Sequence, residues 1–175
     1  MSDDAARALA LLRRLGAGPH LLLHHEMVVD AAEALTAGLA DFDASFDAGL
    51  VLAGAAVHDA GKILHPGEMH GPGARHEPDG HALLVQHGEP VLARFCLSHA
   101  RWDAPAVPLE DLLVAAADKL WKGKRVAALE QRVIEQLASE SGHDRWDVLV
   151  AADDLFERVA ADADRRLAAT RSGTL

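Results

Sequence analysis

Apolar and polar residues follow one another along most of the chain with the period of an α-helix. Alanine and leucine dominate the apolar positions, and no alternation of strand length occurs. Breaks in the pattern, such as the glycine- and proline-containing segment 16–19, divide the chain into helices. The pattern predicts helices at about 3–15, 20–40, 46–60, 78–87, 90–101, 108–122, 124–141 and 144–169. No linker or repeat interrupts them, so we expect one all-α domain over residues 1–175.

One segment, residues 65–78, departs from the helical pattern. It is rich in glycine and proline and carries three histidines, and it is too broken for a helix. Loops of this length in compact domains are often functional. We therefore expect this loop to contribute to a site.

Composition and charge narrow the classes of function. The net charge of −10 argues against broad binding to nucleic acid or anionic membranes, and no apolar run approaches the ~20 residues of a membrane span. The single cysteine, Cys96, excludes an intramolecular disulfide and is expected in the core. The acidic N-terminus lacks the features of a secretory signal, so the sequence predicts a cytoplasmic protein.

Two neighbouring histidines lie in the predicted second helix. On a helical wheel, His24 shares a face with apolar residues such as Val28 and Leu35, whereas His25 lies about a quarter-turn away. His24 is therefore predicted to point inward and His25 to lie at the boundary. An inward histidine can also be a hydrogen-bonded core residue without a metal.

Titratable residues also follow two long apolar runs. His58 and Asp59 come after residues 50–57, which predicts that both lie at the end of a buried helix. The alternative there is a helix C-terminus with Gly61 in the left-handed conformation and Lys62 facing the helix dipole.

Asp118 ends a second apolar run, 112–117. In the absence of a metal, its partner would be Lys119 or Arg125. Burial of so many titratable groups is costly unless something pairs with them, and a divalent cation could do so.

The order and approximate spacing of His24, His58-Asp59 and Asp118 resemble the H…HD…D signature of the HD-domain phosphohydrolase superfamily. The resemblance covers roughly residues 20–122, with the helices of 124–169 beyond it. It implies an HD-type helical bundle of about seven or eight helices. It also implies that the four signature residues bind a divalent metal.

Some branches of this superfamily hold a second metal on two extra histidines, with the Asp of the doublet bridging both ions. Residues 76–80 resemble the H-x-x-x-G element of those branches, and residues 98–103 resemble their later histidine-bearing helix. The resemblance thus implies His76 and His99 as further ligands, with His81 as the competitor of His76. Nitrogen and oxygen ligands suit Mn²⁺, Fe²⁺, Co²⁺, Ni²⁺ or Zn²⁺. The histidines expected in loop, surface or supporting positions are His65, His70, His87 and His143.

Lys62 helps to choose among the branches. The nucleotidase branch has an acidic catalytic residue at this position, so Lys62 favours the H-D-x-G-K branch and a role in catalysis and phosphate contact. Cyclic-dinucleotide phosphodiesterases share H-D-x-G-K, but their G-Y-P tripeptide is missing from this chain. Cyclic di-GMP is therefore not the expected substrate.

Basic residues near the proposed ligands are candidates for substrate binding. Lys119 and Lys122 belong to a cationic stretch, 119–125, that either draws anions toward the metals or decorates a helix C-terminus closed by Gly123. Arg75 and Arg101 could bind phosphate bidentately, and Trp102 could stack on a base or belong to the core.

The resemblance implies a metal-dependent phosphohydrolase, either a phosphomonoesterase or a phosphodiesterase. Its substrate would be a small phosphorylated compound, nucleotide-like ones included, attacked by a metal-activated hydroxide with Asp59 bridging the ions. The alternative is a mixed-valence di-iron oxygenase, because some HD-fold proteins with the same six ligands cleave C–C or C–P bonds with O₂. A third reading is a non-catalytic module that has kept the fold for ligand or partner binding, which a failure to bind any metal would favour.

Overall fold

The computed structural model describes residues 2–42 and 44–172, with side chains as far as Ala168. Its α-helices are α1 (Asp3–Arg14), α2 (Pro19–Leu39), α3 (Ala48–Ala55), α4 (His76–Gln86), α5 (Pro90–Ala93), α6 (Phe95–Ser98), α7 (Leu109–Leu120), α8 (Ala127–Ser141), α9 (Arg145–Ala161) and α10 (Ala163–Ser172). Three 3-10 segments join them, at Ala40–Phe42, Ala60–Ile63 and Pro66–Met69. The described residues form no strand, so the all-α prediction is confirmed. Eight of these helices have eight or more residues, in agreement with the expected seven or eight.

The centre of the bundle consists of α2, α3 and α7, which pack on one another. Helix α3 is buried from Val51 to Ala55, as expected for a helix that is apolar on most sides. Cys96 is also buried, which confirms its expected core position, and burial raises its pKa to about 12. None of the helices in the described residues has both the length and the apolar character needed to cross a membrane.

The prediction of a helix over 46–60 was wrong at its end. Helix α3 stops at Ala55, and His58 and Asp59 lie in the turn that follows it. The Ala55 carbonyl, which the ended helix leaves without a helical partner, accepts hydrogen bonds from Nδ1 of both His25 and His58. Two buried imidazoles therefore cap this helix and hold the His58-Asp59 doublet beyond it.

Other predicted boundaries also shifted. Helix α4 begins at His76, inside the segment predicted as a loop, and that segment contains a 3-10 turn, Pro66–Met69. The helix predicted over 90–101 is two short helices that meet at Arg94, and the last helix is interrupted at Asp162. These breaks do not alter the order of the elements.

Helix α4 lies against the 3-10 turn Ala60–Ile63 at backbone contact. A Cβ atom added to Gly61 would lie 1.9 Å from the carbonyl oxygen of His76, and one added to Gly80 would lie 2.6 Å from the nitrogen of Gly61. Gly61 does not have the positive φ expected of a left-handed cap. Glycine is required here because two backbones approach closely, which brings His76 to the doublet.

The C-terminal helix α10 is tied to α2 by a buried arginine. Arg166 is 1% exposed, its Nε lies 2.6 Å from Asp30 Oδ2, and its Nη1 donates to the Val159 carbonyl. We expect Arg166→Ala to lower the free energy of unfolding by about 2 kcal/mol, because it removes charge-assisted bonds and packing together. Urea denaturation measures this difference.

Arg165→Ala is the matched control for that substitution. Arg165 binds the same Asp30 oxygen, but its side chain is 60% exposed. We expect its loss to cost less than about 1 kcal/mol, as is usual for exposed pairs. Equal effects of the two substitutions would contradict a special role for the buried arginine.

Candidate metal centre

Two groups of three metal-ligating side chains lie side by side in the interior of the helical bundle. The first group is His24, His58 and Asp118, and the second is Asp59, His76 and His99. Within each group, one ligand atom from every residue lies within 4.8 Å of the others. The structure thus brings together all six residues that the sequence singled out.

Five separate elements position these side chains. The ligand atoms come from the second turn of α2, the turn after α3, the first residue of α4, the residue after α6 and the last turn of α7. Because the helices pack around one point, residues almost a hundred positions apart in sequence meet there. Five of the six are buried, and His24 is partly buried, with 12% of its side chain exposed.

Asp59 lies between the two groups. Its Oδ2 is 3.1 Å from His24 Nε2 and 3.5 Å from His58 Nε2. Its Oδ1 is 3.2 Å from His76 Nε2 and 3.5 Å from His99 Nε2. The two oxygens of one carboxylate therefore face different groups, as a bridging ligand requires.

Hydrogen bonds fix the direction of the imidazole rings. Nδ1 of His58 lies 2.9 Å from the Ala55 carbonyl, and Nδ1 of His99 lies 2.9 Å from the Phe95 carbonyl. In a neutral ring that donates from Nδ1, Nε2 carries a free lone pair. Both Nε2 atoms then point lone pairs toward the carboxylate oxygens of the centre.

Such an arrangement fits a cation. The Nε2 atoms of His24 and His58 are only 3.4 Å apart, and Nε2 of His58 is 3.7 Å from Asp118 Oδ1. Asp59 Oδ1 is buried and receives no well-aligned hydrogen bond from any described residue. A divalent ion would pair with these facing acceptors, whereas lone pairs alone repel one another.

The pKa shifts favour the protonation states that metal ligands need. Burial lowers the pKa of His24, and it lowers that of His99 to about 4, so both rings are neutral at pH 7. Burial raises the pKa of Asp59, but the surrounding imidazoles, with His58 first, outweigh it and hold that pKa well below its usual range. Neutral imidazoles beside ionised carboxylates bind divalent cations.

The pKa values of His76 and Asp118 are also shifted. The pKa of His76 is raised, first by its contact with Asp59 and also by its hydrogen bond to Glu68. Burial raises the pKa of Asp118, but its contact with His58 outweighs burial and holds the pKa well below its usual range. Protonation of His76 therefore competes with metal binding.

The sequence was compared with known proteins. The family model of the HD domain matches residues 21–121, which is more than half of the chain. The protein belongs to the HD domain family. No curated protein and no solved structure matched the sequence. The predicted resemblance over residues 20–122 is therefore confirmed for the HD domain, and the H-D-x-G-K branch stays a prediction.

Three lysines of the HD domain surround its carboxylates. Lys62 Nζ lies 2.6 Å from Asp59 Oδ2, and Lys119 Nζ lies 2.6 Å from Asp118 Oδ2. Lys122 Nζ lies 3.6 Å from the other oxygen of Asp118. The predicted pairing of Asp118 with a lysine is present, and positive charge lies beside both groups of ligands.

The other residues predicted to contact the substrate are Arg75, Arg101 and Trp102, and no hydrogen bond or ion pair of theirs with the ligand candidates is seen in the described residues. Arg75 is exposed at the start of α4, and Nε of the exposed Arg101 lies 3.9 Å from Glu77. Trp102 packs partly on the core, and its carbonyl accepts a hydrogen bond from Arg132. A role of these residues in substrate binding stays a prediction.

Arg125, which belongs to the predicted cationic stretch, forms its ion pairs away from the metal centre. It binds acidic residues of α8 and α9, namely Glu130, Asp153 and Glu157. It is therefore not the partner of Asp118. Gly123 does have the positive φ expected where the preceding helix ends.

The remaining histidines belong to neither group of ligand candidates. His81 is only partly buried and belongs to neither group, and His65 pairs with Asp79 at 2.6 Å. His70, His87 and His143 are exposed, as is His20. His25 is wholly buried, so its predicted boundary position was wrong. Burial lowers its pKa well below the usual value.

Sequence reasoning missed Glu68. Its Oε2 lies 2.6 Å from Nδ1 of His76 and accepts the backbone N–H of the same residue at 3.1 Å. This contact directs His76 Nε2 toward Asp59 and fixes the tautomer of the ring. The only sequence signal was the position of Glu68 in the loop expected to be functional.

We expect Glu68→Ala to weaken the affinity for a metal held by His76 about 10- to 100-fold, because outer partners of metal-binding histidines orient the ring. Titration of metal into the chelator-treated protein measures the change, and Glu68→Gln, which keeps a hydrogen-bond acceptor, should recover part of it. Glu77→Ala removes a carboxylate next to His76 that faces Arg101 instead. Equal losses in Glu68→Ala and Glu77→Ala would show that His76 does not depend on Glu68.

Proposed function

We propose that this HD domain is a metal-dependent phosphohydrolase that acts on a small phosphorylated compound, as a phosphomonoesterase or a phosphodiesterase. The observation that carries the proposal is Asp59, whose two carboxylate oxygens face two separate groups of ligands. Two divalent ions on a shared carboxylate are the arrangement used for in-line displacement at phosphorus.

The residues that would hold the ions are the six of the two groups. His24, His58 and Asp118 would hold one ion, His76 and His99 would hold the other, and Asp59 would contact both. When bound, the ions would supply an activated water and neutralise the phosphoryl oxygens. Nitrogen and oxygen ligands admit Mn²⁺, Fe²⁺, Co²⁺, Ni²⁺ or Zn²⁺.

The lysines would bind and orient the phosphate. In the structure, the amines of Lys62, Lys119 and Lys122 lie against Asp59 and Asp118. Ions bound to those carboxylates would neutralise their negative charge. The lysine amines, which are compact point charges, would then be free to turn toward a phosphoryl oxygen. On a chain of net charge −10, this cluster would also draw an anionic substrate toward the centre.

Metal content and hydrolysis test the proposal together. The freshly purified protein should contain two ions per chain by elemental analysis. The loaded protein should hydrolyse a simple phosphoester in the absence of O₂ and lose that activity on chelation. A loaded protein that consumes O₂ with a candidate substrate but hydrolyses no phosphoester would favour the di-iron oxygenase. Failure to bind any metal would favour a binding module.

A further inference from the structure

We propose that a pocket beside Lys62 receives the alcohol part of the substrate, and that this part is an uncharged apolar group rather than a sugar. The inference rests on the proposed phosphohydrolase function and names the substrate class of the same site. The pocket has a volume of about 370 Å³, within the usual size of small-molecule sites. Its lining residues are Gly16, Gly18, Pro19, His20, Leu21, Lys62, Ile63, Pro66, Met69 and His70.

Three parts of the lining adjoin three different ligand candidates. Lys62 lines the pocket and lies 2.6 Å from Asp59. His20 is on the same face of α2 as His24, one helical turn earlier. Pro66 and Met69 belong to the 3-10 turn that carries Glu68, the partner of His76. The pocket therefore opens beside the metal centre.

A larger cavity of about 570 Å³ does not have this relation to the centre. Residues of α1, α3 and α5 line most of it. Its lining mixes acidic and basic side chains on a different part of the bundle. None of the six ligand candidates lines either cavity, but Lys62, whose amine lies 2.6 Å from Asp59, lines only the smaller one. The smaller pocket is therefore the one whose lining contacts a residue of the metal centre.

The chemistry of the lining indicates what the pocket accepts. Five of its side chains are apolar or proline rings, three are basic or imidazole groups, and none is acidic, although the chain has 27 acidic residues. The Lys62 amine suits the phosphate. The apolar wall offers no carboxylate or amide side chain to the hydroxyl groups of a sugar, which would lose water without new partners.

Two phosphate monoesters of primary alcohols test this selectivity. Benzyl phosphate has an apolar alcohol and ribose 5-phosphate a polyhydroxylated one, so their phosphoryl chemistry is comparable. We expect the metal-loaded protein to hydrolyse benzyl phosphate with a kcat/KM at least about tenfold higher. Equal kcat/KM values, or a preference for the sugar phosphate, would overturn the inference while leaving the phosphohydrolase function in place.

A substitution in the pocket provides the second measurement. Met69 is half-buried in a turn, and Met69→Gln changes its polarity at nearly constant size, so the fold should persist. We expect it to lower the ratio of the two kcat/KM values about tenfold. Val91→Gln, in the larger cavity, is the control and should leave the ratio unchanged. A ratio unmoved by Met69→Gln would place the alcohol elsewhere.

Binding separates failure of the inference from failure of the proposed function. Benzylphosphonate, which has no ester bond to cleave, can be titrated into the metal-loaded protein by calorimetry. We expect Met69→Gln to raise its Kd about tenfold. No hydrolysis of either ester together with such a change in Kd would reject the phosphohydrolase and retain the apolar pocket. An unchanged Kd would reject the pocket.

Discussion

Asp59→Ala should abolish hydrolysis and reduce the metal content, while the helical fold persists. Asp59 is 3% exposed and contacts candidates from both groups through different oxygens. Its removal would deprive both ions of a ligand, so we expect a loss of activity larger than about 10³-fold. That exceeds the 10- to 100-fold typical of outer partners.

Elemental analysis, phosphoester turnover and far-UV circular dichroism measure the three parts of this expectation. Asp103→Ala is the control, since Asp103 is an exposed carboxylate between α6 and α7. Turnover of Asp59→Ala at a level near that of the control would refute the assignment of the centre. Loss of the helical signal would instead indicate that the buried carboxylate is needed for folding.

The sequence was sufficient to predict the six ligand candidates because helical periodicity and motif spacing both constrain them. His24, His58 and Asp118 each lie next to an apolar run, which predicts that all three are buried. Nothing in the periodicity decided between His76 and His81. That choice depended on Gly80, and the structure gives the physical reason, since Gly80 contacts Gly61.

Other features depend on tertiary contacts that no local pattern records. The wheel placed His25 at a boundary because it assumes one buried face, but α2 packs against α1, α3, α7 and α9. Glu68 lies in a segment without periodicity, where a carboxylate in sequence does not indicate what it contacts. The early end of α3 likewise depends on His25, an imidazole 30 residues away that caps Ala55.

Gly61→Ala should remove the second ion while the first ion stays bound. The new Cβ would lie 1.9 Å from the His76 carbonyl oxygen and 2.7 Å from the Gly80 nitrogen, and both are backbone atoms that cannot turn away. Helix α4 must therefore move outward. We expect the substitution to lower the free energy of unfolding by about 3 kcal/mol, at the upper end of the usual cost of overpacking.

The movement of α4 would carry His76 away from Asp59, from which its Nε2 is now 3.2 Å distant. Metal–ligand distances tolerate deviations of only about 0.2 Å, so the second site would be lost. The first group would remain because His24 and Asp118 come from α2 and α7, which do not touch Gly61 at this contact.

Elemental analysis and urea denaturation of the same preparation test both effects. Gly67→Ala is the matched control, because a Cβ at Gly67 meets no atom within 4 Å and should change neither the ion count nor the stability. One ion per chain in Gly61→Ala, against two in the control, would assign His76 to an ion that depends on the α4 contact. Two ions in both variants would mean that His76 reaches the metal independently of that contact, and the requirement for glycine in H-D-x-G-K would then need another cause.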